Sequence, residues 1–137
     1  MSGLYEKAEF ALRAKDSAAF WAALAGVDAQ RTAPLLAKLL LEDWHKEHED
    51  IVFELGLIGE NCATPAIAQA AQKNFEYLIR WGNLEEFQRK CAYALARIGS
   101  GDSKVALELM AQQFDTGLGK YAEEGLRHWA VPVKKRG

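Results

Sequence analysis

The stretch "LGLIGENCATPAIAQAA" at residues 55–71 lies without gaps on "LARIGSGDSKVALELMA" at 95–111. Leu55 and Leu95, Ile58 and Ile98, and Gly59 and Gly99 recur at an offset of 40 residues, each trio closing one apolar-periodic segment before a turn and a second segment. A weaker copy, "LAGVDAQRTAPLLAKLL" at 24–40, pairs Leu24 with Leu55, Val27 with Ile58, Pro34 with Pro65 and Ala37 with Ala68 at an offset of 31. A long second helix and the connection "RWGN" at 80–83 explain the difference in period, and "EEGLRHW" at 123–129 reads as a last, incomplete first helix. Self-similarity at such a period marks a repeat architecture, in which each unit hides part of its apolar face and stacking on neighbours hides the rest. Ile58 and Ile98 are expected to close the core of each repeat.

The segments that repeat have helical period. Trp44, His48, Ile51, Leu55 and Ile58 follow spacings of 4, 3, 4 and 3, and Phe87, Cys91, Ala94, Leu95 and Ile98 form a similar stripe. No segment alternates as a half-buried strand does. The expected fold is all-α, with about eight helices at 4–14, 17–25, 31–42, 45–57, 64–80, 84–98, 103–114 and 118–129. Gly26, Gly59, Gly82, Gly99, Gly101, Gly117 and Gly119 are placed between helices, and Pro34 and Pro65 in first turns, where a missing N–H is tolerated. The reading is one domain over 1–137, with repeats at 17–42, 45–80 and 84–114 and a capping helix at 118–130.

Composition narrows the function classes. A chain of 137 residues buries roughly two thirds of its extended surface and needs no metal or disulfide staple. Net charge is −2, so no broad basic surface for phosphate backbones is implied. The N-terminal stretch carries Glu6, Lys7, Glu9, Arg13, Lys15 and Asp16 and has no apolar signal core. "APLLAKLLL" at 33–41 is interrupted by Lys38 and is too short to span a bilayer. Cys62 and Cys91 lack CxxC spacing and read as reduced thiols, which makes the cytoplasm the expected compartment. The basic tail "VPVKKRG" at 131–137 reads as a solvated end.

The chemistry-bearing residues are few. His45 and His48 stand at i, i+3, whereas paired zinc histidines on one helix usually stand at i, i+4 around a glutamate and need a third ligand. His48 lies on the apolar stripe, so it reads as a hydrogen-bonded core histidine beside Glu49 or Asp50, and no metal or cofactor is expected. There is no GxSxG elbow, Walker A loop or GxGxxG after a strand. The carboxylate pairs Glu42/Asp43, Glu49/Asp50 and Glu85/Glu86 are placed near helix starts, where the helix dipole favours acids without any acid–base role.

"L-x-x-I-G" closing one helix, then a short turn and an Ala/Leu-rich second helix, resembles the HEAT-like repeat over residues 17–130. The resemblance implies a right-handed α-α superhelix of helix pairs. Within that class, "LLLEDWHKEHEDIVFELGLIG" followed by "YLIRWGNLEEFQRKCAYALARIG" is similar to small bacterial HEAT-like immunity proteins of polymorphic or contact-dependent toxin systems. Such a resemblance implies a non-catalytic protein that neutralises a cognate toxin by binding it.

The candidate contact residues are an acidic strip, Glu42, Asp43, Glu47, Asp50, Glu85 and Glu86, which would steer a basic toxin domain, with Tyr77 and Trp81 as aromatic anchors. The alternatives are a HEAT-like nucleic-acid-binding or DNA-glycosylase-like enzyme, or a generic scaffold. Tyr77, Trp81 and Trp44 could stack on bases, but among these acids only Lys73 and Arg80 oppose the negative charge, so neither nucleic acid nor membrane is the expected partner.

Overall fold

The computed structural model describes residues 3–113 and 116–129. The basic tail and the ends assigned to residues 114 and 130 lie outside them. Nine α-helices and no strand occur among the described residues: α1 Gly3–Ala14, α2 Ser17–Leu24, α3 Ala29–Leu40, α4 His48–Ile58, α5 Thr64–Ala71, α6 Glu76–Trp81, α7 Leu84–Ile98, α8 Gly101–Ala111 and α9 Gly117–His128. A single 3₁₀ turn, Asn61–Ala63, leads into α5. Among these residues no helix is long and apolar enough to cross a membrane.

The repeat seen in the sequence is a repeat of caps. Gly59 and Gly99 both end their helices in the left-handed region, at φ 75° and 67°, which costs a glycine no Cβ clash. Their amides donate to Leu55 and Leu95 carbonyls at 3.0 and 3.2 Å, so the conserved spacing within the two copies is the closing bond of a helix. In the first copy the left-handed residue is Gly26, two positions before the Asp28 that the offset of 31 sets opposite Gly59. The second helices nevertheless keep that offset: Ala33, Leu35, Leu36, Leu39 and Leu40 are buried, and so are Thr64, Ala66, Ile67, Ala70 and Ala71.

Side chains cap several helix starts, though not those of α4 to α7. Asp16 and Asp28 accept from the amides of Ala19 and Arg31 at 3.0 and 2.9 Å, and Ser100 and Ser103 form a reciprocal box.

Two layers result. In one, α4, α7 and α9 run parallel: Glu49 meets Lys90 at 3.2 Å, Gly56 lies against Ala94, Tyr121 reaches Glu85 at 3.1 Å and Tyr93 reaches Glu124 at 3.4 Å. In the other, α3, α5 and α8 stack in order, and α5 and α8 pack beneath α7. A Cβ on Gly56 would stand 3.2 Å from both Ala94 carbon atoms, so two small residues set the close approach of α4 and α7. The turns at one end are tied across repeats, where Asn61 Nδ2 donates to Asp102 at 2.8 Å and Asn61 Oδ1 accepts from the Ser100 hydroxyl.

Several boundaries differ from those expected. The helix expected over 64–80 is two, broken at 72–75. On an unbroken helix the stripe 67, 70, 74, 78 would bury Asn74. The break exposes Asn74 and buries Phe75, Tyr77 and Leu78 together. The helix expected from 45 begins at His48, because 41–47 is an irregular connection. Pro34 lies in the second turn of α3 and not the first. Gly101 opens α8, Gly117 opens α9 and Gly119 lies within its first turn instead of between helices; a Cβ on Gly119 would collide with the Gln113 carbonyl.

Ile58 and Ile98 are half-buried at the margin of the core, while Leu55 and Leu95 are fully buried. Replacing Leu55 or Leu95 with Ala is therefore expected to cost about 2–5 kcal/mol, and Ile58→Ala or Ile98→Ala only about 1–2 kcal/mol. Urea midpoints of the four variants check this ordering, and equal losses would mean that the isoleucines carry the repeat.

Candidate functional site

The acidic strip sits where the chain returns from the α3–α5–α8 layer to the first turns of α4 and α7. These parallel helices bring Glu49, Asp50, Glu85 and Glu86 to one edge, and the 41–47 connection adds Glu42, Asp43 and Glu47. Glu42 and Asp43 lie in that connection and not at a helix start.

Part of the strip is committed to internal bonds. Glu47 is half-buried and accepts from Trp21 Nε1 at 2.8 Å and from Ser17 Oγ at 3.2 Å. Glu42 accepts from Trp44 Nε1 at 2.9 Å, Glu49 from Lys90 at 3.2 Å, and Glu85 from the Tyr121 hydroxyl at 3.1 Å. Asp43, Asp50 and Glu86 are exposed and make no ion pair among the described residues.

The two aromatic candidates separate. Trp81, at the end of α6, is 55% exposed, stands edge-on to Tyr77 at 5.1 Å and has Lys46 Nζ 5.7 Å from its ring. Tyr77 is buried, and its hydroxyl faces inward to His48, so it is a core residue and not an exposed anchor.

His48 occupies the centre of this region. Its ring is fully buried, stacked on His45 at 4.1 Å and on Phe75 at 3.8 Å between centroids. The Tyr77 hydroxyl donates to Nδ1 at 2.7 Å and accepts from the His48 amide at 3.3 Å, while Nε2 donates to the Glu42 carbonyl at 2.6 Å. His45 does the same for the end of α3: Nε2 donates to the Leu39 carbonyl at 2.7 Å, and Nδ1 accepts from the Glu47 amide at 3.1 Å. It satisfies one of the carbonyls a helix C-terminus presents.

The hydrogen-bonded core histidine expected from the stripe is present, but its partners are Tyr77 and the Glu42 backbone, not Glu49 or Asp50. All four imidazole nitrogens are bonded, and no group of three or more His, Cys, Asp or Glu side chains converges as a metal site among the described residues. Cys91 is buried, and burial pushes its thiol pKa up, away from the reactive thiolate.

Beside the stack lies a polar cavity of about 520 Å³, lined by Lys46, Lys73 and Arg80 together with Asp43, Glu76 and the Tyr77 ring. Sequence reasoning counted Lys73 and Arg80 against the acids and missed Lys46, which stands four residues from Glu42 and reaches the same cavity from the connection. A second recess, about 380 Å³, lies between α4 and α7 and includes Phe53, Tyr93 and Arg97, none of which the repeat pattern had singled out.

Burial holds the His48 pKa down from 6.5 to about 4, and burial also lowers that of His45. The folded state therefore binds a proton less readily than the unfolded chain, so the stabilisation is complete above pH 6.5 and is lost as pH falls toward 4. For His48 alone the loss is about 3 kcal/mol, of which about 2 kcal/mol falls between pH 6.5 and 5, above most carboxylate titration. Urea unfolding measured from pH 7 to 5 checks this, and a flat profile would contradict it. Tyr77→Phe should cost about 1–3 kcal/mol at pH 7 by leaving His48 Nδ1 and its amide without a partner.

Comparison with family models, with curated proteins and with solved structures finds no match to this chain.

Proposed function

We propose that this protein is a non-catalytic binding module, an immunity protein that neutralises a bacterial toxin by docking a basic surface of it on the edge formed by the 41–47 connection, α6 and the first turns of α4 and α7. The observation that carries this is the conjunction of exposed Trp81 with Asp43, Asp50 and Glu86, carboxylates that no internal ion pair consumes among the described residues. Asp50 and Glu86 favour their helix starts, but none of the three carboxylates is bonded to another side chain among the described residues, and an electrostatic edge accelerates encounter with a basic partner while a central aromatic side chain supplies contact energy. Residues suited to chemistry support the same reading from the other side. The ring nitrogens of His45 and His48 are bonded within the core and Cys91 is buried, while the exposed Cys62 and His128 join no cluster of three or more His, Cys, Asp or Glu among the described residues. The immunity role rests further on the resemblance carried by "LLLEDWHKEHEDIVFELGLIG" and "YLIRWGNLEEFQRKCAYALARIG".

The test is co-purification with the product of the adjacent upstream gene, followed by binding kinetics. Asp43→Lys with Asp50→Lys is expected to leave the helical spectrum unchanged, to lower the association rate about tenfold at low salt and to remove much of its salt dependence. Trp81→Ala should instead speed dissociation, at a cost of about 2 kcal/mol in affinity. Glu47 and Glu85 are left intact because Trp21, Ser17 and Tyr121 depend on them. A double variant that binds as fast as the parent, with a Trp81→Ala variant of unchanged affinity, overturns the docking edge.

A further inference from the structure

The outer face of α4, beside α7, carries large apolar side chains that none of the described residues covers. Phe53 is 61% exposed and Leu57, one turn further along the same stripe, 50%. Beside them runs the recess of about 380 Å³, floored by Val52, Gly56 and Ala94 and walled by Phe53 and Tyr93. Its charges are arranged in a particular way. Arg89 and Lys90 line it but are engaged inside the chain, with Glu124 at 3.6 Å and Glu49 at 3.2 Å, and the Arg89 guanidinium stands 5.3 Å from the Tyr93 ring centroid. That leaves Glu86 at one end and Arg97 at the other, neither with an ion pair among the described residues. Eleven residues of helix separate them by about 16 Å.

We infer that this face pairs with the same face of a second copy of the chain, around a twofold axis through the neighbourhood of Phe53. The bipolar charge selects this occupant over an acidic or a basic one. A twofold perpendicular to the helices turns the second copy antiparallel, which sets each Glu86 against the other copy's Arg97 and satisfies both charges twice. Gly56 lies against Ala94, so Phe53, three residues earlier, is level with the midpoint between residues 86 and 97 on α7. The two phenyl rings then meet at the axis, over the recesses floored by Gly56 and Ala94. Two helices over three turns offer less than the roughly 800 Å² per partner of a standard interface, so the expected dimer is weak, with Kd on the order of 10–100 µM.

Sedimentation of the full chain from about 5 to about 500 µM tests this without any second protein, so the outcome is separate from that of the toxin-binding proposal. The parent should pass from monomer to dimer across that range. Phe53→Glu, at an exposed position, should remain monomeric with an unchanged helical spectrum. Arg97→Glu should weaken association about tenfold, and Glu86→Arg combined with Arg97→Glu should restore it, since the exchange rebuilds both pairs. A parent that is monomeric at the highest concentration overturns the inference and leaves the recess to another protein. So does a Phe53→Glu chain that dimerises like the parent, or a double variant no better than Arg97→Glu.

Discussion

The bonding of one buried imidazole governs the middle of this molecule. His48 takes the Tyr77 hydroxyl on one nitrogen and gives its proton to the Glu42 carbonyl on the other, while its faces hold His45 and Phe75. Four pieces of chain that share no periodicity therefore converge on it: the connection after α3, the start of α4, the break after α5, and α6. A neutral ring can satisfy a donor and an acceptor at once, and burial enforces that neutrality. Without it the 41–47 connection would lose its inner anchor, and the break at 72–75 would have no reason to fold Phe75 inward.

That arrangement also explains what the surface is free to do. Because His45, His48, Tyr77, Glu42 and Glu47 are spent on internal bonds, the acids of the strip that stay exposed without an ion pair among the described residues are Asp43, Asp50 and Glu86. The strip is thus less acidic in effect than its composition suggests, and Lys46, Lys73 and Arg80 break it with a cationic cavity. On the proposed reading, such a mixed edge would discriminate between partners by the pattern of charge and not by its sign alone.

The repeat, and with it the all-helical class, was legible because a helix cap is local. Leu55 to Gly59 and Leu95 to Gly99 carry the whole of the 5→1 closing bond within five residues of sequence. The positions of Asp50 and Glu86 in the first turns of α4 and α7 were legible for the same reason, whereas Asp43 lies in the connection before α4. Glu47 and Tyr77 were misread because their partners lie 26 and 29 residues away, a distance over which periodicity carries no information. The split of 64–80 was hidden for a related cause: Ala70 and Leu78 fit a continuing stripe, and the contacts of Phe75 and Tyr77 with His48 that accompany the break are not local.

The layers are not equally joined along their length, and this gives the chain a direction. From α4 onward each helix of the first layer lies along its predecessor through backbone-close contacts such as Gly56 with Ala94 and Gly125 with Ala92. At the other end α1 packs chiefly on α2, and α2 meets the rest through its buried Phe20 and Leu24 and through hydrogen bonds from Ser17 and Trp21 to Glu47. Cooperative units separate where such joints are thinnest. Opening of the first helical hairpin would therefore leave the backbone-close contacts of the stack from α4 to α9 intact.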